Sequence, residues 1–266
     1  MSWFRFQTRN AVEFVQISLP GTKGVFSTRN GGISTPPFDS LNLAFHVGDA
    51  PEAVTANRRI FSAAAGFSLE NLVCAQQVHG TRVFSASFQD RGKGVYCYED
   101  AVPETDALIT DDSNVVLGAF FADCVPVFIA DPVRKAVGLA HAGWKGTLHH
   151  IAQKTVAKMT EEFGCVSSDC FAFIGPSIGP CCYRVGEEVI ALLDPALAAH
   201  VSSEGEDKKG FNLDLWGANR ADLLVAGLSA DNIAVSGLCT RCDARFFSFR
   251  RAGGQTGRMG GFIGLI

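Results

Sequence analysis

Val115-Val116-Leu117-Gly118-Ala119-Phe120-Phe121-Ala122-Asp123-Cys124-Val125-Pro126-Val127-Phe128-Ile129-Ala130 is the stretch on which the fold turns, and Ala136-Val137-Gly138-Leu139-Ala140-His141-Ala142-Gly143-Trp144-Lys145-Gly146 continues it. The apolar runs Val115 to Ala122, Val127 to Ala130 and Ala136 to Ala140 read as strands bounded by turn residues. Further apolar segments near Leu72 to Val78, Val83 to Phe88 and Ala107 to Thr110 make the middle of the chain rich in strands. From Leu148 to Phe163, Leu148, Ile151, Ala152, Val156 and Met159 share one helical face, the pattern of a helix covering a sheet. His149 and His150 open that helix on or near its solvated side.

Outward from this centre, strands near Cys170 to Ile174, Ile233 to Leu238, Phe246 to Phe249 and Phe262 to Leu265 alternate with helices near Gly186 to Leu193 and Leu213 to Gly227. Toward the N-terminus, Gly24 to Arg29 reads as a strand, Asn30 to Asp39 as a turn-rich loop, and Leu41 to Val47 as a strand delivering His46. Pro51 suits the first position of a helix with Ile60, Phe61 and Ala64 on one face and Gly66 as its stop; Arg58 and Arg59 ride on it. The mixture indicates α/β layers, and the β-rich middle argues against a simple doubly wound sheet. The longest polar stretch, Ser202 to Gly210, reads as a loop tip, and residues 1–266 are expected to form one domain.

A chain of 266 residues is long enough to bury about three quarters of its unfolded surface. With 47% hydrophobic residues, 21 Phe and 28 Gly, it has the composition of an apolar globular enzyme with many tight turns. The formal charge of −4, with no basic stripe, argues against nucleic acid as a partner. Met1 to Phe6 shows no export h-region, and no run approaches the roughly 20 apolar residues of a membrane span. A cytoplasmic protein without a membrane partner is expected. Nine cysteines is an odd number, which favours reduced thiols over a disulfide framework.

Three residues stand where apolar strands run out: His79 in Gln77-Val78-His79-Gly80, Cys124 before Val125-Pro126, and His141 before Ala142-Gly143. Strand ends are where sites in α/β sheets are built. Two imidazoles and a thiolate make a zinc set. Their separations of 45 and 17 residues are too long for a finger or ribbon, so a folded core must assemble them. Three protein ligands leave one open position on a tetrahedral ion, the arrangement of catalytic sites. Two alternatives stand beside this. The three can be unrelated core residues, or Cys124 can be a nucleophile with His141 as its base. Cys181-Cys182 and Cys239-Thr240-Arg241-Cys242 invite a second, structural zinc reading, but adjacent cysteines do not easily face one metal, and packing is expected for them.

Several motifs together resemble the laccase-domain (YfiH-like) family: Ser40-Leu41-Asn42-Leu43 with His46-Val47-Gly48-Asp49, Asn57-Arg58, Gln76-Gln77-Val78-His79-Gly80 and Ala122-Asp123-Cys124-Val125-Pro126-Val127. His141-Ala142-Gly143-Trp144-Lys145-Gly146-Thr147, Gly175-Pro176-Ser177-Ile178-Gly179-Pro180-Cys181-Cys182-Tyr183 and Phe246-Phe247-Ser248-Phe249-Arg250-Arg251 complete the likeness. It runs from about residue 24 to the C-terminus, with two departures: Arg184 stands where an acidic residue is usual, and Phe249 replaces the commoner Tyr.

The resemblance implies a single-domain α/β sandwich of mixed sheets flanked by helices, with zinc held by His79, Cys124 and His141. The family's names disagree: polyphenol oxidase or laccase, purine nucleoside phosphorylase with adenosine deaminase side activity, and peptidoglycan editing factor. A multicopper laccase needs about ten His for its copper centres, and this chain has six. The expected reaction is phosphorolysis of adenosine, inosine and methylthioadenosine to free base and ribose 1-phosphate. Arg59 and His46 are expected to hold the phosphate, with Lys145 and the Gly175 to Gly179 loop as further donors. Gln77 and Asp123 are candidates to accept the second N–H of the metal-bound imidazoles, Gln77 also facing substrate. One alternative is a zinc hydrolase removing a wrong amino acid from the peptidoglycan precursor UDP-MurNAc-L-Ser. The other is a non-enzymatic interaction protein stapled by zinc, with Cys181 or Cys182 closing the coordination.

Overall fold

Strands that are apolar on both faces need cover on both sides, and this chain supplies it with two sheets packed face to face between helices. The computed structural model describes residues 2–193, 195–203 and 210–266. Its strands are β1 (Phe4–Arg9), β2 (Val12–Ile17), β3 (Thr22–Ser27), β4 (Leu72–Cys74), β5 (Val83–Ser85), β6 (Ala107–Thr110), β7 (Val116–Phe121) and β8 (Val125–Asp131). They continue with β9 (Ala136–Ala142), β10 (Phe171–Ile174), β11 (Arg184–Val185), β12 (Val201–Ser203), β13 (Phe211–Leu213), β14 (Ile233–Val235) and β15 (Met259–Leu265). The helices are α1 (Pro51–Ala65), α2 (Trp144–Leu148), α3 (Ile151–Phe163), α4 (Glu187–Ile190), α5 (Pro195–Ala198), α6 (Leu215–Val225) and α7 (Phe249–Ala252).

The first sheet has the order β1-β2-β3-β15-β7-β4 and the second β14-β10-β8-β9-β6-β5, with a small third sheet β11-β13-β12. Both large sheets are mixed: β4 lies parallel to β7, β5 to β6 and β10 to β14, whereas β8 and β9 pair antiparallel. Alternation along each strand sorts the apolar side chains into layers. Ile17, Phe26, Leu117, Phe121 and Ile263 of the first sheet meet Leu108, Phe128, Leu139 and Phe173 of the second in a core between the sheets. The other face of the first sheet, with Phe14, Val25, Phe120 and Phe262, packs on Phe61, Ala64 and Ala65 of α1. The other face of the second, with Val127, Ile129 and Ala140, packs on Ile151, Val156 and Met159 of α3 and Leu223 of α6. The α/β sandwich of mixed sheets flanked by helices is therefore what the chain forms.

Helix α1 begins at Pro51 and ends at Gly66, whose φ of 72° closes it in the left-handed region. The Leu148 to Phe163 helix is interrupted: α2 ends at Leu148, His150 takes φ 59°, and α3 starts at Ile151. His149 is exposed and His150 half-buried, its Nδ1 lying 2.8 Å from Asp222 Oδ1. Two expected strands are absent. Leu41 to Val47 is an irregular segment ending in a short 3₁₀ turn at Phe45–Val47, because its backbone groups bond elsewhere. Asn42 caps Ala44, the Leu43 carbonyl accepts from Arg58 Nε at 2.8 Å, and the Leu43 N–H donates to Arg258 at 3.1 Å. Phe246 and Phe247 are buried without a ladder, and Ser248 caps the short α7 that takes Phe249. The N-terminal hairpin β1-β2 extends the first sheet beyond the expected strands. Of the expected loop tip, Ser202 lies in β12, and residues 204–209 lie outside the described residues.

Candidate metal centre

The chain crosses from the first sheet to the second twice, and each crossing carries one sequence-expected ligand. Cys124 lies in the turn from β7 to β8, and His79 lies between β4 and β5. His141 is near the end of β9, paired in register with Pro126 of β8, which brings it beside the first turn. The ligand atoms of His79, Cys124 and His141 lie within 4.8 Å of one another, with Cys124 Sγ 3.7 Å from His79 Nε2. The two imidazoles meet edge to face, their centroids 4.9 Å apart at 75°.

Sharp crossings force unusual backbone. His79 has φ 61° and Asp123 has φ 83°, left-handed values that cost a non-glycine residue about 1–3 kcal/mol each. Neighbouring side chains hold both. Asp123 accepts from Thr240 Oγ1 at 2.7 Å and from the Arg250 N–H at 2.7 Å. The His79 turn is held by Asp106, whose carboxylate accepts the N–H groups of Val78 at 3.1 Å, His79 at 3.0 Å and Gly80 at 2.7 Å. The same carboxylate contacts His141 Nδ1 at 2.8 Å, which leaves the other ring nitrogen for a metal.

Asp106 is therefore the residue that orients the cluster, and it was missed in the sequence. Gln77 and Asp123, expected in that part, do other work. Gln77 clasps the Phe120 backbone, accepting its N–H at 2.8 Å and donating to its carbonyl at 2.9 Å, while Asp123 holds Thr240 and Arg250.

Electrostatics follow this geometry. Burial pushes the Cys124 thiol up, but the His141 charge and hydrogen bonds from His141 and His79 bring it down to about 6. Burial pushes His141 down, but Cys124 and Asp106 raise it to about 9. Burial, the largest single influence, raises the Asp106 carboxyl, but the hydrogen bond and charge of His141 and the N–H groups of Gly80 and Val78 together outweigh it and hold the group below the usual carboxylate range. A thiolate beside an oriented imidazole also suits a cysteine nucleophile. The second imidazole on the same sulfur gives the set the donors and spacing that could hold a metal ion.

Gly143 makes room for it: a Cβ there would lie 2.8 Å from His79 Cδ2 and 3.2 Å from Cys124 Sγ. Gly143→Ala is expected to push these ligands apart and weaken metal binding about ten- to a hundred-fold. Competition with a chelating dye measures this, and unchanged affinity would show that the cradle is loose.

The cluster forms the floor of a cavity of about 390 Å³. Phe120, Trp144, Tyr183 and Phe249 supply aromatic wall, and Arg250, Arg258 and His46 supply nitrogen donors. The Arg250 guanidinium lies 5.1 Å from the Tyr183 ring and that of Arg258 5.7 Å from Phe249. Burial keeps the Tyr183 hydroxyl protonated far above neutrality. His46 lines the cavity; desolvation, then the charges of Arg258, His141, Arg58 and His79, lower it to about 4.

Of the expected phosphate residues, His46 and Gln77 line this cavity, and Arg59 and Lys145 do not. Arg59 is exposed on α1, and Lys145 is exposed with its ammonium 5.6 Å from the Trp144 ring. Arg58 is the buried member of its pair, donating to the carbonyls of Leu43, Gly94 and Val95 between the rings of Phe45 and Phe120.

The family described as "Multi-copper polyphenol oxidoreductase laccase" matches residues 23–266. The chain belongs to this family. The laccase-domain name sits beside relatives of other activity. Purine nucleoside phosphorylase YlmD of Bacillus subtilis is 43% identical over 242 residues, 90% of this chain and 87% of the relative. Adenosine deaminase RL5, from an unknown prokaryotic organism, is 34% identical over 91% of this chain and 93% of its own. The crystal structure of YlmD from Geobacillus stearothermophilus superposes with a TM-score of 0.92 at 40% identity, covering 99% of this chain and 98% of the other. The one His-Cys-His cluster among the described residues has room for one metal ion, not the copper array of a multicopper laccase.

Proposed function

We propose that this chain is a zinc-dependent purine nucleoside phosphorylase, cleaving adenosine, inosine and methylthioadenosine with inorganic phosphate, and deaminating adenosine as a side activity. The observation that carries the reading is the three-ligand cluster on the floor of a cavity walled by four aromatic rings and two guanidinium groups. The relatives' names support it. Two imidazoles and a thiolate are a zinc donor set, and the cavity above them supplies an open face. Bound there, zinc supplies a Lewis acid that positions and polarises a phosphate oxygen or a water.

The remaining work falls to the chain. Aromatic walls stack a purine, an interaction of about 1–3 kcal/mol per base. A phosphate oxygen forms a bond to C1′ as the glycosidic C–N bond breaks; the base leaves with that bond's electron pair and takes up the proton that phosphate gives up on becoming the ribose 1-phosphate ester. Arg258 and Arg250 are the cations that face this space, so they replace Arg59 and Lys145 as phosphate holders in this reading. His46, lowered to about 4, serves as a neutral donor or acceptor near neutrality. None of the nine cysteines is in a disulfide, which suits a reducing cytoplasm as the place of this enzyme. No helix among the described residues is long and apolar enough to cross a membrane.

Arg258→Ala is expected to lower kcat/KM for phosphate about ten- to a hundred-fold, since a charge-assisted bond contributes roughly 1.5–3 kcal/mol. Arg59→Ala is expected to leave the phosphate saturation curve unchanged. The reverse pattern would return the anion site to α1. The stapled-protein alternative needed Cys181 or Cys182 at the cluster, and both sulfurs gather elsewhere.

A further inference from the structure

We propose that Cys181, Cys182, Cys239 and Cys242 form a second, structural metal site that holds a zinc-class divalent ion through four thiolates. Their four sulfurs lie within 4.8 Å of one another, in a group distinct from His79, Cys124 and His141. Cys242 Sγ is 3.7 Å from Cys181 Sγ and 3.3 Å from Cys182 Sγ. A tetrahedral ion with bonds near 2.3 Å sets its sulfurs about 3.8 Å apart, so the cluster needs only small adjustment to close on one. Cys239-Thr240-Arg241-Cys242 has the short pairing typical of structural zinc ligands.

The objection that adjacent cysteines diverge is met by the turn that precedes them. The Gly179 carbonyl accepts from the N–H groups of both Cys182 and Tyr183, winding the chain so that the side chains of Cys181 and Cys182 both face Cys242. The Gly179 N–H in turn donates to Cys239 Sγ at 3.2 Å, a backbone bond of the kind that steadies a thiolate ligand. A disulfide would use two sulfurs and strand the other two beside it. Four converging thiols are what a closed, four-coordinate structural site requires. Cys181 and Cys242 are exposed, which gives an ion its entry path.

The site ties two loops that build the catalytic cavity. Tyr183 follows Cys182 directly and lines the cavity. Thr240, between Cys239 and Cys242, donates to Asp123 beside Cys124, and Arg251 donates to the Thr240 carbonyl at 2.6 Å. Occupancy of the second site would thus fix the wall that carries Tyr183 and Arg250 without touching the reacting atoms.

The test compares full-length wild type, Cys124→Ala and the double variant Cys239→Ser/Cys242→Ser, each purified reduced with zinc present. Wild type is expected to hold about two metal equivalents and each variant about one, by elemental analysis. Cobalt-loaded Cys124→Ala should show the intense thiolate charge-transfer and tetrahedral d–d bands of a four-sulfur site, a readout that does not depend on the double variant folding. In the same protein, thiol titration should find the cluster cysteines protected until a chelator is added. Cys124→Ala that binds no metal, with those thiols reacting freely, would overturn the proposal. A mass two hydrogens low, from a disulfide between Cys182 and Cys242, would overturn it too. Neither result bears on the metal of the cavity floor, which the double variant reports by itself.

Discussion

Cys124→Ala is expected to lose the metal of the cavity floor and, with it, nucleoside turnover to the limit of detection, while the chain stays folded. The thiolate is the anionic ligand of the set, and two neutral imidazoles hold zinc poorly. Cys124 is half-buried at a turn, where truncation leaves little cavity, so thermal unfolding of the metal-free forms should differ by about 1 kcal/mol or less. Metal content falling by about one equivalent, with turnover falling in parallel, checks the expectation. Turnover that survives with the metal gone would hand the chemistry to the arginines and aromatic walls alone.

Asp106→Asn is the second large effect. The wild-type carboxylate is fully buried and accepts three backbone N–H groups besides contacting His141. An amide keeps one acceptor oxygen but turns an N–H₂ group toward a donor, leaving a buried clash. Breaking such a buried ionic network costs about 3–5 kcal/mol. Loss of His141 orientation should weaken metal binding about ten- to a hundred-fold on top of that. Denaturant unfolding of the metal-free protein and dye competition separate the two effects. A destabilised protein with wild-type metal affinity would make Asp106 a fold residue only.

What the sequence made legible were the features that local spacing encodes. The cluster of His79, Cys124 and His141 was visible because each stands at the end of an apolar run, where sites in α/β sheets are built. Helix α1 was visible from Pro51, Gly66 and its apolar face. Asp106 left only a faint signal, a carboxylate directly before the apolar strand Ala107–Thr110, because its partners lie 26 to 35 residues away along the chain.

The same limit explains Arg58 and Arg59. Arg58 stands three residues before Phe61 and shares its buried face, whereas Arg59 points out, a one-residue difference that motif reading passed over. Leu41 to Val47 and Phe246 to Phe249 alternate or cluster apolar residues as strands do. The Leu43 carbonyl and N–H are taken by Arg58 and Arg258, and the Phe247 N–H by the Met259 sulfur, contacts of 12 residues or more in sequence separation that no local pattern records. That Cys181 and Cys182 both turn toward Cys242 was not legible for a local reason, since the turn at Gly179 redirects two neighbouring side chains to one point.

The direct measurement of the central claim is product analysis of adenosine cleavage by the zinc-loaded protein, with and without inorganic phosphate. The account predicts adenine and ribose 1-phosphate in equal amounts, formed only when phosphate is present and at a rate that saturates with it. Adenine released at the same rate in phosphate-free buffer, with free ribose beside it, would contradict the account and make the enzyme a hydrolase.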